Sequence, residues 1–594
     1  MPEHSNPITS NHDQCHIKTK APSLAPTGHV WSLMAPIACL FGAIASAWPL
    51  VLHLSLAIPL GTEPEATVPL FNLWTLWWTA DRAGHGFSAY WDAPIFYPNP
   101  GTFSYSEPQP LTGLLVWPMW LFGLPPALVY NVALLLILTL NGSFAYRLLR
   151  ALHLPAFTAL SGGLLVIALP FVAKVLGVLP VIPLFGVLWA FEGLVSFSRT
   201  RKVRHALWAS AGYVAQVLTS QQLALLGAPF VGGAGLLTLW ILRRERRALM
   251  HLIVIAVLAV GLVAGIVAPT WSRHRNLDFE RPFAVVHALS AEPSDFFTRP
   301  TTAVLSVPPR ESPHRDSAGL FPGLLVLILA GCGIASALQR AEQRYWGAFL
   351  GGMVIVSFVL ALGLHIEIGG WHPFWTLRNL VPGFPQLRSP FRFAAFTQLG
   401  LCLLSAMALA RLTEWGPGPA GKLIAITLGV LAPAENLAVP VPLVEVPTTP
   451  RSEWTAWLKT RQDPTVVAQI PFPAGPHVSQ YEIEAWRLFA QIDHKKPLVN
   501  GYSGFFPPGY LRFQLDMARD FPNRALLCLM AQNLRVTTLV IDQEWLSGHG
   551  EQIRTFDSFL RPMYRDNAVA IFRLELPSLA CSPESRPPAT PKGQ

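Results

Sequence analysis

Apolar blocks of about 18 residues or more, the length that crosses a bilayer core, recur along the whole chain. They fall near 31–58, 127–147, 157–174, 177–197, 206–224, 226–242, 251–270, 319–338, 346–364, 394–413 and 421–439. The block at 206–224 is the most polar of them, because Gln216, Ser220, Gln221 and Gln222 interrupt it. Only 13% of the residues are charged, against about 25% in a soluble domain. That scarcity excludes a disordered chain, a nucleic-acid-binding domain and an ordinary cytosolic enzyme. The expectation is a polytopic α-helical membrane protein of about 11 transmembrane helices over 31–440. The polar first 30 residues lack a cleavage site behind a short apolar core, so 31–58 reads as an uncleaved first span. Residues 1–30 then form a disordered tail, and Lys18 and Lys20 put it on the cytoplasmic side.

The net charge of +9 has to be read loop by loop, since basic residues in short loops set orientation. Arg199, Arg201, Lys202 and Arg204 follow the fourth block, Arg243, Arg244, Arg246 and Arg247 the sixth, and Arg340 and Arg344 the eighth. With the N-terminus inside, all three clusters fall on the cytoplasmic face. Their work is orientation and contact with anionic lipid; no nucleic-acid partner is implied. The same count puts 59–126, 271–317, 365–393 and everything beyond about 440 outside. The first of these carries Glu63, Glu65, Asp81, Asp92 and Glu107 against a single Arg82.

Residues 445–575 change character, with shorter apolar runs and frequent turn signals. Val466–Ile470, Leu539–Asp542 and Ala568–Leu574 read as strands. Helices are expected after Ser452 and over Leu526–Leu534. This is a small α/β domain on the extracytoplasmic side, followed by a disordered tail at 576–594. Six cysteines are too few and too scattered for a disulfide framework. Cys39, Cys332 and Cys402 lie in apolar spans as buried thiols, and no Cys/His spacing suggests zinc.

In the first outer segment, 66–82 reads ATVPLFNLWTLWWTADR. Leu70, Trp74, Trp77, Trp78 and Asp81 share one helical face. Tryptophan prefers the headgroup level, so the helix is expected to lie flat on the outer surface. The following 90–111, YWDAPIFYPNPGTFSYSEPQPL, places Asp92 and Glu107 among aromatic residues. An aromatic loop presenting carboxylates suits a carbohydrate, whose C–H faces stack on rings such as Trp91 and Tyr97 while hydroxyls bond to acids. A carboxylate there can serve as general base toward an acceptor hydroxyl. The competing reading is that these acids cap turns.

These motifs together resemble the GT-C class of polytopic glycosyltransferases, which use polyprenyl-phosphate-linked sugars. The likeness rests on LFNLWTLWW at 70–78, IFYP at 95–98, SEPQPL at 106–111 and AYRLLRAL at 145–152. HALSAEPSDFFTRP at 287–300, FPQLRSPFRFAAF at 384–396 and HKKPLVNGYSGFFPP at 494–508 extend it over most of 31–575. The resemblance implies transfer of a sugar from the lipid-linked donor to a glycan, lipid or protein acceptor outside a bacterial-type inner membrane. Arg388 and Arg392 are then expected to hold the donor phosphate. Glu292 and Asp295 are expected to bind substrate hydroxyls or to cap the helix that follows them. Asn500, Tyr502 and Ser503 are either sugar-binding or a plain turn. Members of this class often carry Gly-Asp-Pro before the Asn-x-Trp of the juxtamembrane helix, and its Asp is the expected base. Here the triplet is Thr67-Val68-Pro69, and valine accepts no proton. The role passes to Asp92, Glu107, Glu63 or Glu65, or the chain is a catalytically silent binding component. A lipid or oligosaccharide flippase is the remaining alternative. No cofactor is called for; a divalent ion on Glu63 and Glu65 is set against their being simple loop acids.

Overall fold

A computed structural model of the protein describes residues 27–300, 303–304, 316–414, 419–576 and 581. Apart from residues 27–30, 576 and 581, the two expected tails lie outside the described residues. The chain opens with α1 (Thr27–Ser46), strand β1 (Ala57–Pro59), α2 (Thr67–Gly84), α3 (Pro110–Leu121) and α4 (Pro126–Ala151). It continues through α5 (Ala156–Ile167), α6 (Pro170–Lys174), α7 (Phe185–Thr200), α8 (Val203–Thr219), α9 (Gln221–Ile241) and α10 (Arg246–Asn276). After the short α11 (Phe283–Ala288) come α12 (Leu324–Gln339), α13 (Arg344–Ala361), α14 (Pro373–Leu380), α15 (Ala394–Thr413) and α16 (Ala420–Glu435).

Each apolar block contains a helix, but among the described residues 7 segments are both long and apolar enough to cross a membrane. Proline sets several of the differences. The block at 31–58 is helical only to Ser46; Pro49 follows, and Ala57–Pro59 instead pairs antiparallel with Leu443–Glu445. The block at 157–174 breaks at Leu169, whose extended backbone is what a residue before proline prefers. In the polar fifth block, α8 stops at Thr219 and Ser220 is extended, its hydroxyl accepting from Leu223 N at 3.0 Å to cap α9. The glutamines that weaken this block stitch the junction, Gln216 bonding Val187 N and Pro183 O. At one end of the bundle the arginine-rich loops gather, as their charge pattern anticipates. Arg201 pairs with Glu245 at 2.7 Å, Arg199 donates to Glu342 O at 3.4 Å, and Arg340 pairs with Glu414. The bundle is centred on α15, 94% of whose apolar window is buried, while only 11% of that of α10 is; α10 is an edge helix facing lipid.

The α2 helix corrects the expectation of a flat surface anchor. Trp74 is fully buried, and Trp77 and Trp78 nearly so. The helix lies between α3 and a C-terminal helix, α18. Trp74 Nε1 donates to Gln491 Oε1 at 3.0 Å, and Trp78 Nε1 to Tyr90 O at 2.9 Å. The indoles thus bond protein acceptors, and apolar residues all round the helix reflect burial on every side.

The C-terminal part contains β2 (Leu443–Glu445), α17 (Glu453–Lys459), β3 (Val467–Ile470), α18 (Glu482–His494), α19 (Tyr510–Asp520) and α20 (Arg524–Gln532). Next come β4 (Thr538–Asp542), α21 (Gln543–Arg554), β5 (Leu560–Arg565) and β6 (Val569–Leu574), and the mixed sheet has the order β3-β4-β6-β5. Ser452 caps α17 as its sequence suggests. Strand β5 escapes a pattern reading because it is a largely exposed edge strand. Cys528 and Cys581 form a disulfide, Cα atoms 5.8 Å apart. This corrects the reading of scattered thiols: folding of α20 against the chain end closes a separation of 53 residues.

The burial of α2 yields a test. Trp74→Phe leaves Gln491 Oε1 without its donor and is expected to cost about 1–3 kcal/mol, lowering the melting temperature in detergent. Trp48→Phe, at a 42% exposed residue, is expected to stay within about 0.5 kcal/mol. A neutral Trp74→Phe would restore the anchor reading.

Candidate functional site

A large cavity of about 1310 Å³ opens between α8, α9 and α10 and runs up to the loops at the end of the bundle opposite the arginine-rich one. Its lower part is an apolar trough. Ala209, Ala228, Gly232, Ala256, Ala264 and Ala268 contribute small side chains that leave the space open. Its head is polar and aromatic. One wall is α2, presenting Val68, Phe71 and Asn72; another is the loop Tyr105–Glu107; a third is Tyr481 with the 502–506 loop.

Three guanidinium groups line the head: Arg281, Arg388 and Arg392. Arg281 donates to Gly504 O at 2.5 Å and lies over the Phe505 ring at 3.8 Å. Arg392 donates to Gln222 Oε1. Arg388 has no hydrogen-bond or ion-pair partner among the described residues, and the Nε atoms of Arg281 and Arg392 are buried without acceptors. None of the three forms an ion pair with a carboxylate within the described residues. Burial, with Arg388 and Arg392 repelling it, pushes Arg281 down to about 9, though Tyr502 counteracts this in part. Clustered buried cations without counterions are costly, and an anion with several acceptor oxygens completes them.

Glu107 stands at the junction of α8 and α9. Its Oε1 accepts from Gln222 N at 2.7 Å and from Ser220 Oγ at 3.1 Å, at the positive end of α9. Its other oxygen accepts no hydrogen bond among the described residues. Burial pushes the carboxyl up to about 7, against the lowering effect of those donors and of Arg392. Glu107 therefore borders the same space as the arginines with one oxygen free and its proton affinity near neutral pH.

The other sequence candidates go elsewhere. Glu63 is half-buried outside the cavity lining; burial raises its carboxyl while the charges of Arg388, Arg392 and Lys174 oppose that. Glu65 is raised by burial and by Glu482, which accepts from the neighbouring Ala66 N. Asp92 is exposed and accepts from Gly101 N at 2.7 Å, holding the loop closed. Trp91 packs on Tyr90 at 5.0 Å, and Tyr97 packs against the core of the C-terminal sheet. Asp295 accepts from Glu292 N at 2.8 Å, and the two form a capping box. None of these lines the cavity. Asn500 is structural, bonded to both backbone groups of Gln469 and to Glu484. Among the described residues no group of three or more His, Cys, Asp or Glu is placed to hold a metal.

Arg281 and Gln222 escape a sequence reading. Arg281 sits in a loop whose charges balance, and its partners lie more than two hundred residues away at Gly504. Gln222 looks like a polar flaw in a span.

No family model matches the chain, and no curated protein does. Among solved structures, the arabinofuranosyltransferase AftD from Mycobacteria superposes with a TM-score of 0.57 at 16% identity over 92% of this chain. Its R1389S mutant gives 0.56 at 14% identity over 93%. The archaeal oligosaccharyltransferase AglB from Archaeoglobus fulgidus gives 0.44 at 12% identity, covering 95% of this chain and 76% of its own. The fold is similar to that of the arabinofuranosyltransferase AftD. This chain spans 40% of the AftD chain. It is a multi-pass membrane protein, and the expected resemblance holds at the level of fold.

The uncompensated arginines make a stability prediction. Arg388→Ala is expected to leave the melting temperature of the lipid-free protein unchanged or raised, because it removes repulsion and breaks no bond. Arg299→Ala breaks a 2.6 Å pair with Glu435, which also caps α12 through Leu324 N and Leu325 N. That change is expected to cost about 3–5 kcal/mol. An equal fall in both variants would contradict the unpaired state of Arg388.

Proposed function

We propose that the protein is a membrane glycosyltransferase that moves a sugar from a polyprenyl-phosphate-linked donor to an acceptor hydroxyl. One observation carries this reading: three arginines without carboxylate partners among the described residues stand at the head of an apolar trough bordered by the lipid-facing α10. An amphiphile with an anionic head and a long apolar tail matches both halves at once. The prenyl chain occupies the trough, and the phosphate oxygens take up Arg281, Arg388 and Arg392.

Glu107 is the base in this scheme. Its free oxygen takes the proton of the acceptor hydroxyl as that oxygen bonds to the anomeric carbon. The bond from that carbon to the phosphate oxygen breaks, its electron pair stays on the phosphate, and the arginines hold the released lipid phosphate. Direct displacement inverts the anomeric centre. A carboxyl that titrates near 7 is suited to general-base work at neutral pH. Arabinofuranosyl transfer belongs to AftD; for this chain the donor class is a pentose or hexose on the same kind of lipid. Val68 in the cavity wall favours a second reading, a component that binds the lipid-linked sugar without transferring it.

Glu107→Gln separates the two, since the amide oxygen still accepts from Gln222 N and Ser220 Oγ. Transfer to a glycan or lipid acceptor is expected to fall about 10²–10⁴-fold with binding of undecaprenyl phosphate retained. In the unsubstituted protein the rate is expected to rise with pH through about 7, as the base loses its proton, and the variant to lose that limb. Asp92→Asn is expected to keep most of the activity. Wild-type binding without any transfer would select the silent component.

For topology we propose eleven crossings in the inner membrane, with the arginine-rich end cytoplasmic and the C-terminal domain outside. The positive-inside rule supports this orientation. The Cys528–Cys581 disulfide supports it too, because disulfides persist in oxidising compartments. A membrane-impermeant maleimide added to intact spheroplasts is expected to label Cys528 and Cys581 after reduction and not before. Labelling only after lysis would reverse the orientation.

A further inference from the structure

The arginines and the trough account for the phosphate and the tail of a donor, and leave the sugar itself without partners. Two side chains at the cavity head are polar, enclosed and unused. Asn72 is 3% exposed and lines the cavity one turn beyond Val68 on α2. Neither atom of its amide makes a hydrogen bond among the described residues, and its nitrogen is buried. Tyr502 is 9% exposed on the loop after α18. Its hydroxyl likewise has no hydrogen-bond partner among the described residues. The Asn72 amide nitrogen is a buried donor left unpaired, which is costly, and the Tyr502 side chain lines the same cavity with its hydroxyl unused, so the two mark a place where a ligand supplies the partners.

The two walls that carry them touch. Phe71, the neighbour of Asn72, meets the Tyr502 ring edge-on at 5.4 Å. Tyr481 backs Tyr502 from the other side at 5.4 Å. The wall reaches the cationic head through Arg281, which donates to Gly504 two residues beyond Tyr502. The charges of Arg388, Glu63 and Arg281 all act on the Tyr502 hydroxyl. An amide offers a donor and an acceptor together, which suits two adjacent hydroxyls, and a phenol reaches a third polar atom. The rings of Phe71 and Tyr481 supply apolar surface for the C–H face of a sugar.

We infer that Asn72 of α2 and Tyr502 of the C-terminal part form a sugar-recognition pair that selects the glycosylated lipid over the bare lipid phosphate. The inference rests on the donor-lipid reading above and deepens it. It makes the C-terminal part a contributor to the transfer site, and it assigns donor choice to two residues that touch neither the leaving phosphate nor the proton transferred.

The test is equilibrium binding to the full-length protein in nanodiscs. The probes are undecaprenyl phosphate alone and the same lipid carrying glucose, mannose or arabinose. The wild-type protein is expected to bind at least one sugar-bearing lipid about tenfold more tightly than the bare one. Asn72→Leu and Tyr502→Phe, both near-isosteric, are each expected to remove most of that tenfold gain. Their affinity for bare undecaprenyl phosphate is expected to stay within about twofold of wild type. Variants that bind the sugar-bearing lipid as the wild type does would overturn the pair. So would variants that lose both lipids in equal proportion, which is the mark of a structural role. If the wild type binds the bare lipid with no gain from any sugar, the pair fails and the donor reading stands. If it binds neither lipid, the donor reading itself fails.

Discussion

Holding three guanidinium groups together in a partly buried cavity is the demand to which the rest of the site answers. Two of them are fixed by groups that carry no negative charge: a backbone carbonyl and a phenyl face for Arg281, and a side-chain amide for Arg392. Carboxylates in those places would neutralise the cluster and close it to an anionic ligand. Such neutral support orients the cations while leaving their charge available. The nearby acids stand back. Glu63 acts through its field, outside the cavity lining, and Glu107 spends one oxygen on the α9 N-terminus.

The break between α8 and α9 makes this arrangement feasible at the membrane. A turn between two helices frees backbone N–H groups that need acceptors. At Ser220 the freed N–H groups of α9 are satisfied by Ser220 Oγ and by Glu107. This turn supplies the α9 N-terminus at which the Gln222 backbone meets the Glu107 carboxyl. A feature that weakens the span as a hydropathy signal is therefore the structural basis of the polar head.

Much of the fold is legible in the sequence because hydrophobic length and basic loops are local signals. The gathering of the loops around Arg201, Glu245 and Arg340 at one end of the bundle follows from counting alone. The tryptophan helix is misread because amphipathic spacing does not distinguish lipid from protein as the apolar partner; residues off the tryptophan face, Phe71, Leu73 and Leu76, are apolar too, and that is the burial signal. Within the site, Asp92 and Glu107 are equivalent as sequence, acids among aromatics in one loop. They part company through contacts of very different range, Gly101 for Asp92 and Gln222, 115 residues away, for Glu107. Arg281 had no local signal at all, since only the folded chain brings it to residue 504.

Helix α9 ties the two halves of the cavity together. Gln222, which accepts from Arg392, and the backbone N–H bonded to Glu107 sit in its first turn. Leu225, Ala228, Gly232 and Gly235 of the same helix line the trough. The rise of an α-helix puts about 20 Å between residues 222 and 235, so one rigid rod spans from polar head to apolar floor. Substitutions that enlarge Gly232 or Gly235 enter open space, since a Cβ at either meets nothing within 4 Å. Bulk added there acts on the trough while leaving the packing of α9 and the geometry at Glu107 in place. For the proposed lipid-linked donor, tail and head group therefore meet different turns of the same element.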